Sequence, residues 1–379
     1  MSGLTRRALL AAAPLAACSP HRDDGWSGGW VGDAAARGHR VRDATTLPAA
    51  AVQRRADVLI VGGGIAGLAA ARAVRRAGIE DIALFELHDD AGGNSRGHQI
   101  GGTPCPLGAH YLPLPTPDAR EVSEWLQELG VMRQQWGRTV VDERHLCHSP
   151  QERLFFDGAW HEGLLPPTDG STATLAQYRR FSQRVTTLRR ELGFALPTRR
   201  AAWGDGHARL DAMTFARWLA AEQLDDPRLR WYLDYCCRDD YGAGPEHVSA
   251  WAGLHYFASR HGFHAPGDDD GAERDAVLTW PQGNAWLAQR LAQPLADRLH
   301  SACVVHRVGV ERHGVTLDLW NEREQRSEHW SAAQVVIATP LFIAARLVDS
   351  PPDALRQAAA TLRYAPWLVA NLRLKAPLL

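Results

Sequence analysis

Residues 57–67 read Asp57-Val-Leu-Ile-Val-Gly62-Gly63-Gly64-Ile65-Ala66-Gly67, an unbroken apolar run meeting three glycines and then an alanine-rich stretch that continues to Ala77. The order predicts a buried strand, a Gly-x-Gly-x-x-Gly turn and a helix. Each glycine has its own task. Gly62 permits the tight turn, Gly64 lets the backbone approach a pyrophosphate, and Gly67 lets the helix close on the strand. The free N–H groups from Gly63 through Ile65, Ala66 and Gly67, with a helix-dipole charge of roughly +0.5, hold that anion without any Lys or Arg. A second strand, Ile82-Ala-Leu-Phe-Glu86, ends in a carboxylate about twenty residues beyond the turn, where a dinucleotide ribose presents its hydroxyls. Glu86 is expected to accept those hydrogen bonds. The first part of the chain is thereby an α/β dinucleotide-binding domain of Rossmann type.

Directly after Glu86 the chain carries a second glycine turn with a cation, Gly92-Gly93-Asn94-Ser95-Arg96, and later Leu107-Gly108-Ala109-His110-Tyr111. A nicotinamide domain has no need of the first; an ordinary loop is its alternative reading. Together these segments resemble the flavin-containing amine oxidase and phytoene desaturase superfamily, which implies FAD as the cofactor. That family usually has Arg directly after the Gly-Gly pair, whereas this chain has Asn94, so Arg96 is assigned the pyrophosphate charge. The resemblance also implies that Gly108 and Ala109 pass the flavin ring, with His110 and Tyr111 lining the cavity beside it. It takes the strand around Val308 past the adenosine, and the strand ending at Ala338 beneath the dinucleotide. A satisfied histidine and a packed tyrosine remain the plain alternative at 110 and 111.

A Pro-rich stretch, Leu112 to Pro117, breaks the chain before an amphipathic helix with Val122, Trp125, Leu126 and Leu129 on one face. Helical patterns follow at about 172–191, 211–222, 226–238 and 245–258, another opens at Trp280-Pro-Gln-Gly-Asn284 and runs to about Leu299, and strands are expected at 302–308, 315–319 and 334–338. The predicted architecture is a Rossmann-type FAD-binding domain, residues 54–112 and 275–348, with an inserted, largely helical α+β substrate domain over 113–274. Residues 349–379 begin a returning sheet, with its first strand at 366–375. The family's C-terminal Gly-Asp segment, which touches FAD, is not found before Leu379, so a truncated family member is expected.

The N-terminus, Thr5-Arg6-Arg7-Ala8-Leu9-Leu10 and an apolar run to Ala17, has the charge layout of an export signal and is too short to span a bilayer. It resembles a twin-arginine signal, and Leu15-Ala16-Ala17-Cys18 resembles a lipobox. Residues 1–18 are then a leader, Cys18 a lipid anchor on the periplasmic side of a bacterial membrane, and residues 19–53 a tether. With 45% hydrophobic and 22% charged residues, the chain has material for a large core. A net charge of −1 gives no reason to expect nucleic acid. Removing Cys18 leaves five cysteines, an odd number that argues against a disulfide framework.

Lys375 is the only lysine, although Lys and Arg together number 42. Leu374-Lys375-Ala376-Pro377 resembles the Leu-Lys-Phe-Pro segment of polyamine oxidases, whose lysine holds a water against flavin N5, and a compact ammonium suits that task better than a planar guanidinium. A solvated surface lysine is the alternative. Asp239 and Asp240 are placed to attract an ammonium substrate or to serve as an acidic helix end. His145, Cys147 and His148, and His261, His264 and Asp268 to Asp270, lack a recognised ligand spacing, so no metal is assigned. The expected reaction is FAD-dependent oxidation of an amine, by hydride transfer to flavin N5, with oxygen or a quinone as acceptor. Two other readings stay open: a carbon–carbon desaturase or isomerase on an apolar substrate, and a non-catalytic flavoprotein fold.

Overall fold

The computed structural model describes residues 27–32, 34–43, 46–147, 152–260, 262–267 and 276–376. The leader and Cys18 lie outside them, as do His148, His261 and Asp268 to Asp270. Residues 27–32 belong to an N-terminal unit of their own and are exposed without regular structure. The unit from Ala34 onward begins with α1 (Ala35–Arg42) and β1 (Val52–Arg55), then β2 (Val58–Val61), α2 (Ile65–Arg76) and β3 (Ile82–Phe85). A short hairpin, β4 (Gly97–Ile100) and β5 (Thr103–Pro106), leads to β6 (Tyr111–Pro113) and α3 (Arg120–Glu128). Two more hairpins follow, β7 (Met132–Gln135) with β8 (Arg138–Val141) and β9 (Arg153–Phe156) with β10 (Ala159–Glu162). The helical part is α4 (Thr172–Leu192), α5 (Asp205–Asp211), α6 (Phe215–Ala221), α7 (Pro227–Tyr241) and α8 (Ala250–Ala258). The chain returns through β11 (Val277–Thr279), α9 (Ala285–Ala292), β12 (Leu299–His300), β13 (Cys303–Glu311), β14 (Gly314–Asn321), β15 (Arg326–Ala332), β16 (Gln334–Ile337), α10 (Leu341–Leu347) and α11 (Asp353–Thr361).

A parallel sheet in the order β12-β3-β2-β16 forms the centre. Every residue of β2 and β3 is buried, which a continuous run of Val, Ile, Leu, Ala and Phe allows and an alternating strand would not. One face packs Val58, Ile60, Ile82 and Leu84 against Leu68 and Ala71 of α2 and Ala288 and Leu291 of α9. The opposite face packs Leu59, Val61, Ala83 and Phe85 against Val305, Val308, Leu317, Leu319 and Trp330 of a second sheet, ordered β1-β15-β14-β13. Two sheets and a helical layer therefore bury both sides of the strand that precedes the glycine turn.

The helices form a separate apolar cluster around Tyr178, Phe181, Phe215, Leu229 and Phe257. Their ends are set locally. Asp226 accepts from the Arg228 and Leu229 N–H groups ahead of Pro227 at the first turn of α7, and Gly242, at φ +63°, closes it. The strands by which the chain leaves and re-enters the parallel-sheet region, β6 and β11, pair antiparallel, so exit and return occur side by side.

Four expectations are corrected, and one strand that the sequence did not suggest is added. The pattern at 211–222 divides, because Thr214 starts α6 by accepting from the Arg217 N–H at 3.3 Å. The helix expected to reach Leu299 ends at Ala292, where Pro294, which has no N–H, turns the backbone into a single 3₁₀ turn and Leu299 joins β3 instead. β15 is a strand that polarity hid: Glu328 is buried on it, and although burial raises its carboxyl, hydrogen bonds from Trp330, Arg326 and Asn321 bring it below the ordinary value. Residues 35–42, placed in the tether, form α1, which sets Val41 against the core between the sheets. Residues 366–375 form no strand; no ladder partner for them exists among the described residues, and Trp367, Leu368, Leu372 and Leu374 are exposed.

Candidate functional site: a glycine-lined cradle

Three backbones meet at the glycine turn. Gly62 has φ +106°, a left-handed conformation, and a Cβ on it would stand 2.6 Å from the Ala338 carbonyl oxygen. Ala338 N–H in turn donates to the Val61 carbonyl at 2.7 Å, so β16 runs directly behind the turn. A Cβ on Gly67 would overlap the carbonyl oxygen of Gly62; only glycine lets α2 start this close to the strand. The second glycine pair closes the other side: Gly92 N–H donates to the Gly63 carbonyl at 2.8 Å, Gly93 has φ +56°, and a Cβ there would stand 3.1 Å from Gly64 Cα. Ile65 and Ala66, in the first turn of α2, are exposed above this floor. The cradle is a surface of backbone with no side chain in it.

Glu86 follows β3 and is only 5% exposed. Its Oε2 accepts from the Gly63 N–H at 2.7 Å and its Oε1 from the His88 N–H at 2.8 Å. Burial pushes its carboxyl above the ordinary value, against the pull of those N–H groups and of the Arg96 charge. Arg96 donates through Nε to the Gly93 carbonyl at 3.0 Å and lies 3.0 Å from His88 Nδ1, so it braces the second turn from behind. Asn94, which directly follows the glycine pair, is exposed.

The segment from Gly108 leads away from the cradle. A Cβ on Gly108 would strike the Asn94 carbonyl oxygen, which accepts the Ala109 N–H at 2.9 Å. Asn284, which the sequence suggested only as a helix entry, holds the next residues: its N–H donates to the Ala109 carbonyl at 3.0 Å and its Nδ2 to the Tyr111 carbonyl at 2.9 Å. Its Oδ1 is buried without a partner among the described residues. The only signal was the Gly283-Asn284 pair, since Gly283 takes φ +62° within 2.9 Å of His110 Cα by a hypothetical Cβ. The His110 and Tyr111 rings meet edge to face, with centroids 4.9 Å apart, and Tyr111 is 41% exposed.

Trp231, Tyr235 and Asp239 recur every four residues on one face of α7, and the Trp231 and Tyr235 rings stack at 6.1 Å. That face turns toward Tyr111: burial and then the Asp239 charge raise the Tyr111 hydroxyl above its ordinary value. Asp240 is tied to Arg260 at 2.9 Å, whereas Asp239 forms no hydrogen bond or ion pair among the described residues. Burial and then Asp240 hold the Asp239 carboxyl above the ordinary range, with Arg260 and His110 pulling the other way. Val308 is 1% exposed in the core between the sheets, and its carbonyl accepts the Asp349 N–H at 2.9 Å, so both side chain and carbonyl are already used. Lys375 is exposed.

A family model described as "Flavin containing amine oxidoreductase" matches residues 65–379. The protein named "Putative flavin-containing monoamine oxidase AofH" of Mycobacterium tuberculosis is 28% identical over 301 residues, 78% of this chain and 59% of its own length. Among solved structures, a putrescine oxidase bound to putrescine aligns with TM-score 0.60 and 23% identity, over 81% of this chain and 64% of its own. Cyclohexylamine oxidase from Brevibacterium oxydans aligns with TM-score 0.58 and 23% identity, over 80% and 63%. The chain thus spans about 60% of the length of these relatives. With the family model covering everything from the first turn of α2 onward, this chain belongs to the flavin-containing amine oxidoreductase family.

Proposed function

We propose that the protein binds FAD and oxidises a small amine. The observation that carries the reading is the cradle itself: two glycine turns packed backbone to backbone, with a buried carboxylate at one side. A diphosphate fits a surface of N–H groups at a helix start, and glycine is the one residue that leaves room for it. The Gly63 N–H, expected to be free, is committed to Glu86 Oε2, so the N–H groups of Gly64, Ile65, Ala66 and Gly67 hold the phosphates, and Glu86 accepts the ribose hydroxyls. Arg96 and Asn94 flank the second turn formed by Gly92 and Gly93, and Ala338 supports the floor. Gly108 and Ala109 lead to the flavin end.

The chemistry FAD supplies when bound is two-electron acceptance at flavin N5 from the carbon bearing a neutral amine, with water hydrolysing the imine and oxygen or a quinone receiving the electrons. The chain's own part is to bind, orient and desolvate. His110 and Tyr111 form one wall, and the stacked Trp231 and Tyr235 offer the faces a cation prefers. Asp239, unpaired and near Tyr111, attracts the ammonium form as it arrives. Residues 54–112 and 275–348 are assigned to the FAD domain and 113–274 to the substrate domain. Export, and a lipid anchor at Cys18, rest on residues 5–18 alone. Purified protein should carry a flavin absorbance spectrum and release hydrogen peroxide with primary amines. No flavin at saturating FAD overturns the reading; flavin without amine turnover moves it to the desaturase alternative.

A further inference from the structure

The adenosine end contains a polar atom that the fold leaves unused. β13 and β14 pair in regular register except at one place: Val305 faces Leu319 and Arg307 faces Asp318, so His306 is an extra residue on its strand. Such a bulge leaves its residue out of the ladder and re-aims its side chain. The His306 Nε2 is fully buried and has no partner among the described residues. Buried ring nitrogens without partners are rare and costly, which makes this one a group awaiting something. Burial, with the Arg40 charge adding to it, holds the imidazole below its ordinary value, so the ring is neutral at pH 7 and can donate or accept according to its tautomer.

Its surroundings point to what it awaits. The start of β13 is hydrogen-bonded to the residues around the ribose carboxylate: Cys303 N–H donates to the Glu86 carbonyl and Ala302 N–H to the His88 carbonyl, both at 2.8 Å. A dinucleotide whose ribose sits on Glu86 carries its adenine on that same sugar, which brings the base beside this loop and strand. α1 closes the same region from outside. Arg37 donates to the Leu87 carbonyl at 3.1 Å and pairs with Asp89 at 3.0 Å, Arg40 pairs with Glu322 at 3.3 Å, and Arg346 reaches the Arg42 carbonyl at 3.4 Å. A helix that precedes the dinucleotide fold in sequence is thus fastened to the loop that follows Glu86, to the residue after β14 and to α10.

We propose that His306 hydrogen-bonds the adenine of FAD through Nε2, and that α1 is the clasp that encloses that base. The proposal rests on the FAD reading above. It gives the neutral imidazole a neutral purine edge as partner, and it gives the segment before β1 a role in cofactor retention.

The test uses His306→Leu, which keeps the bulk and removes the nitrogen, and His306→Gln, whose amide restores a donor and an acceptor. FAD affinity is measured by quenching of flavin fluorescence on titrating the apoprotein, and thermal midpoints are taken with and without FAD. The expected result is a Kd about tenfold weaker in His306→Leu, most of it recovered in His306→Gln. The midpoint of the apoprotein should stay the same or rise, since an unpaired buried nitrogen has been removed. Adenosine diphosphate should protect the wild type and not His306→Leu. Unchanged FAD affinity in His306→Leu, or a loss of affinity matched by a loss of apoprotein stability, overturns the adenine contact while leaving the FAD reading in place. A wild type that binds no FAD overturns both.

Discussion

Between Gly62 and Gly93 the backbone makes the surface, whereas around Tyr111 the surface is made by side chains, among them Trp231, Tyr235 and Asp239. The first region tolerates almost no added atom, as the hypothetical Cβ positions at Gly62, Gly67 and Gly93 show. The second is open: Tyr111, Trp231 and Tyr235 are each partly exposed, at 41%, 47% and 38%. A diphosphate is the same in every FAD, so a close-fitting backbone can serve it. Amines differ in length and bulk, and a wall of exchangeable side chains can follow them.

The comparison breaks first at Gly67. Gly67→Val should abolish FAD binding and cost more than about 3 kcal/mol of stability, because its Cβ meets the Gly62 carbonyl oxygen and neither backbone can retreat. Denaturant unfolding and flavin absorbance check it; a folded, yellow variant means that the turn is looser than described. Glu86→Gln should weaken FAD binding by roughly 10- to 100-fold, the range for hydrogen bonds to a charged acceptor. Because burial raises the Glu86 carboxyl, FAD retention should also fail on acidification at a higher pH than an ordinary glutamate would give. In the apoprotein the sign is reversed: a raised folded value contributes stability at low pH, and that contribution disappears as pH rises through it. A pH titration of bound flavin, set beside apoprotein melting over the same range, separates the two.

The open region is sharpened by smaller effects. Asp239→Asn should raise KM for amines about tenfold near neutral pH with kcat within about twofold, since the carboxylate attracts the cation without touching the reacting carbon. The difference should shrink in high salt. A fall in kcat of similar size would place Asp239 in the chemistry. Smallest of all, Lys375→Met should leave turnover within about twofold, as expected of an exposed side chain. A loss of tenfold or more would bring that lysine to the flavin after all.

Much of the cradle could be read in the sequence because it is local. Strand, turn and helix are consecutive, and Gly62 and Gly67 are each demanded by sterics within ten residues of one another, with Gly64 between them. Glu86 was found by the same rule, one strand later. Asn284 was not, since its partners at Ala109 and Tyr111 lie more than 170 residues earlier in the chain and no spacing announces them. β15 and α1 were missed for a related reason. Glu328 and Ser327 read as surface until Trp330, Arg326 and Asn321 satisfy the carboxylate inside, and α1 is a polar helix with no buried residue whose docking depends on Leu87, Asp89 and Glu322. Val308 shows the limit from the other side: the strand was placed near the adenosine, but the bulge at His306 decides which residue of it leaves the ladder.

Sequence alone determined the kind of fold and the phosphate-binding turn, because glycine conformational freedom, apolar strand runs and proline breaks act over a few residues. Tertiary structure decided which side chains gather near Tyr111, where α1 rests, and which of two adjacent aspartates is left unpaired among the described residues. Those outcomes depend on contacts between distant segments, and their free energies exist only once the two sheets and the helical cluster have packed.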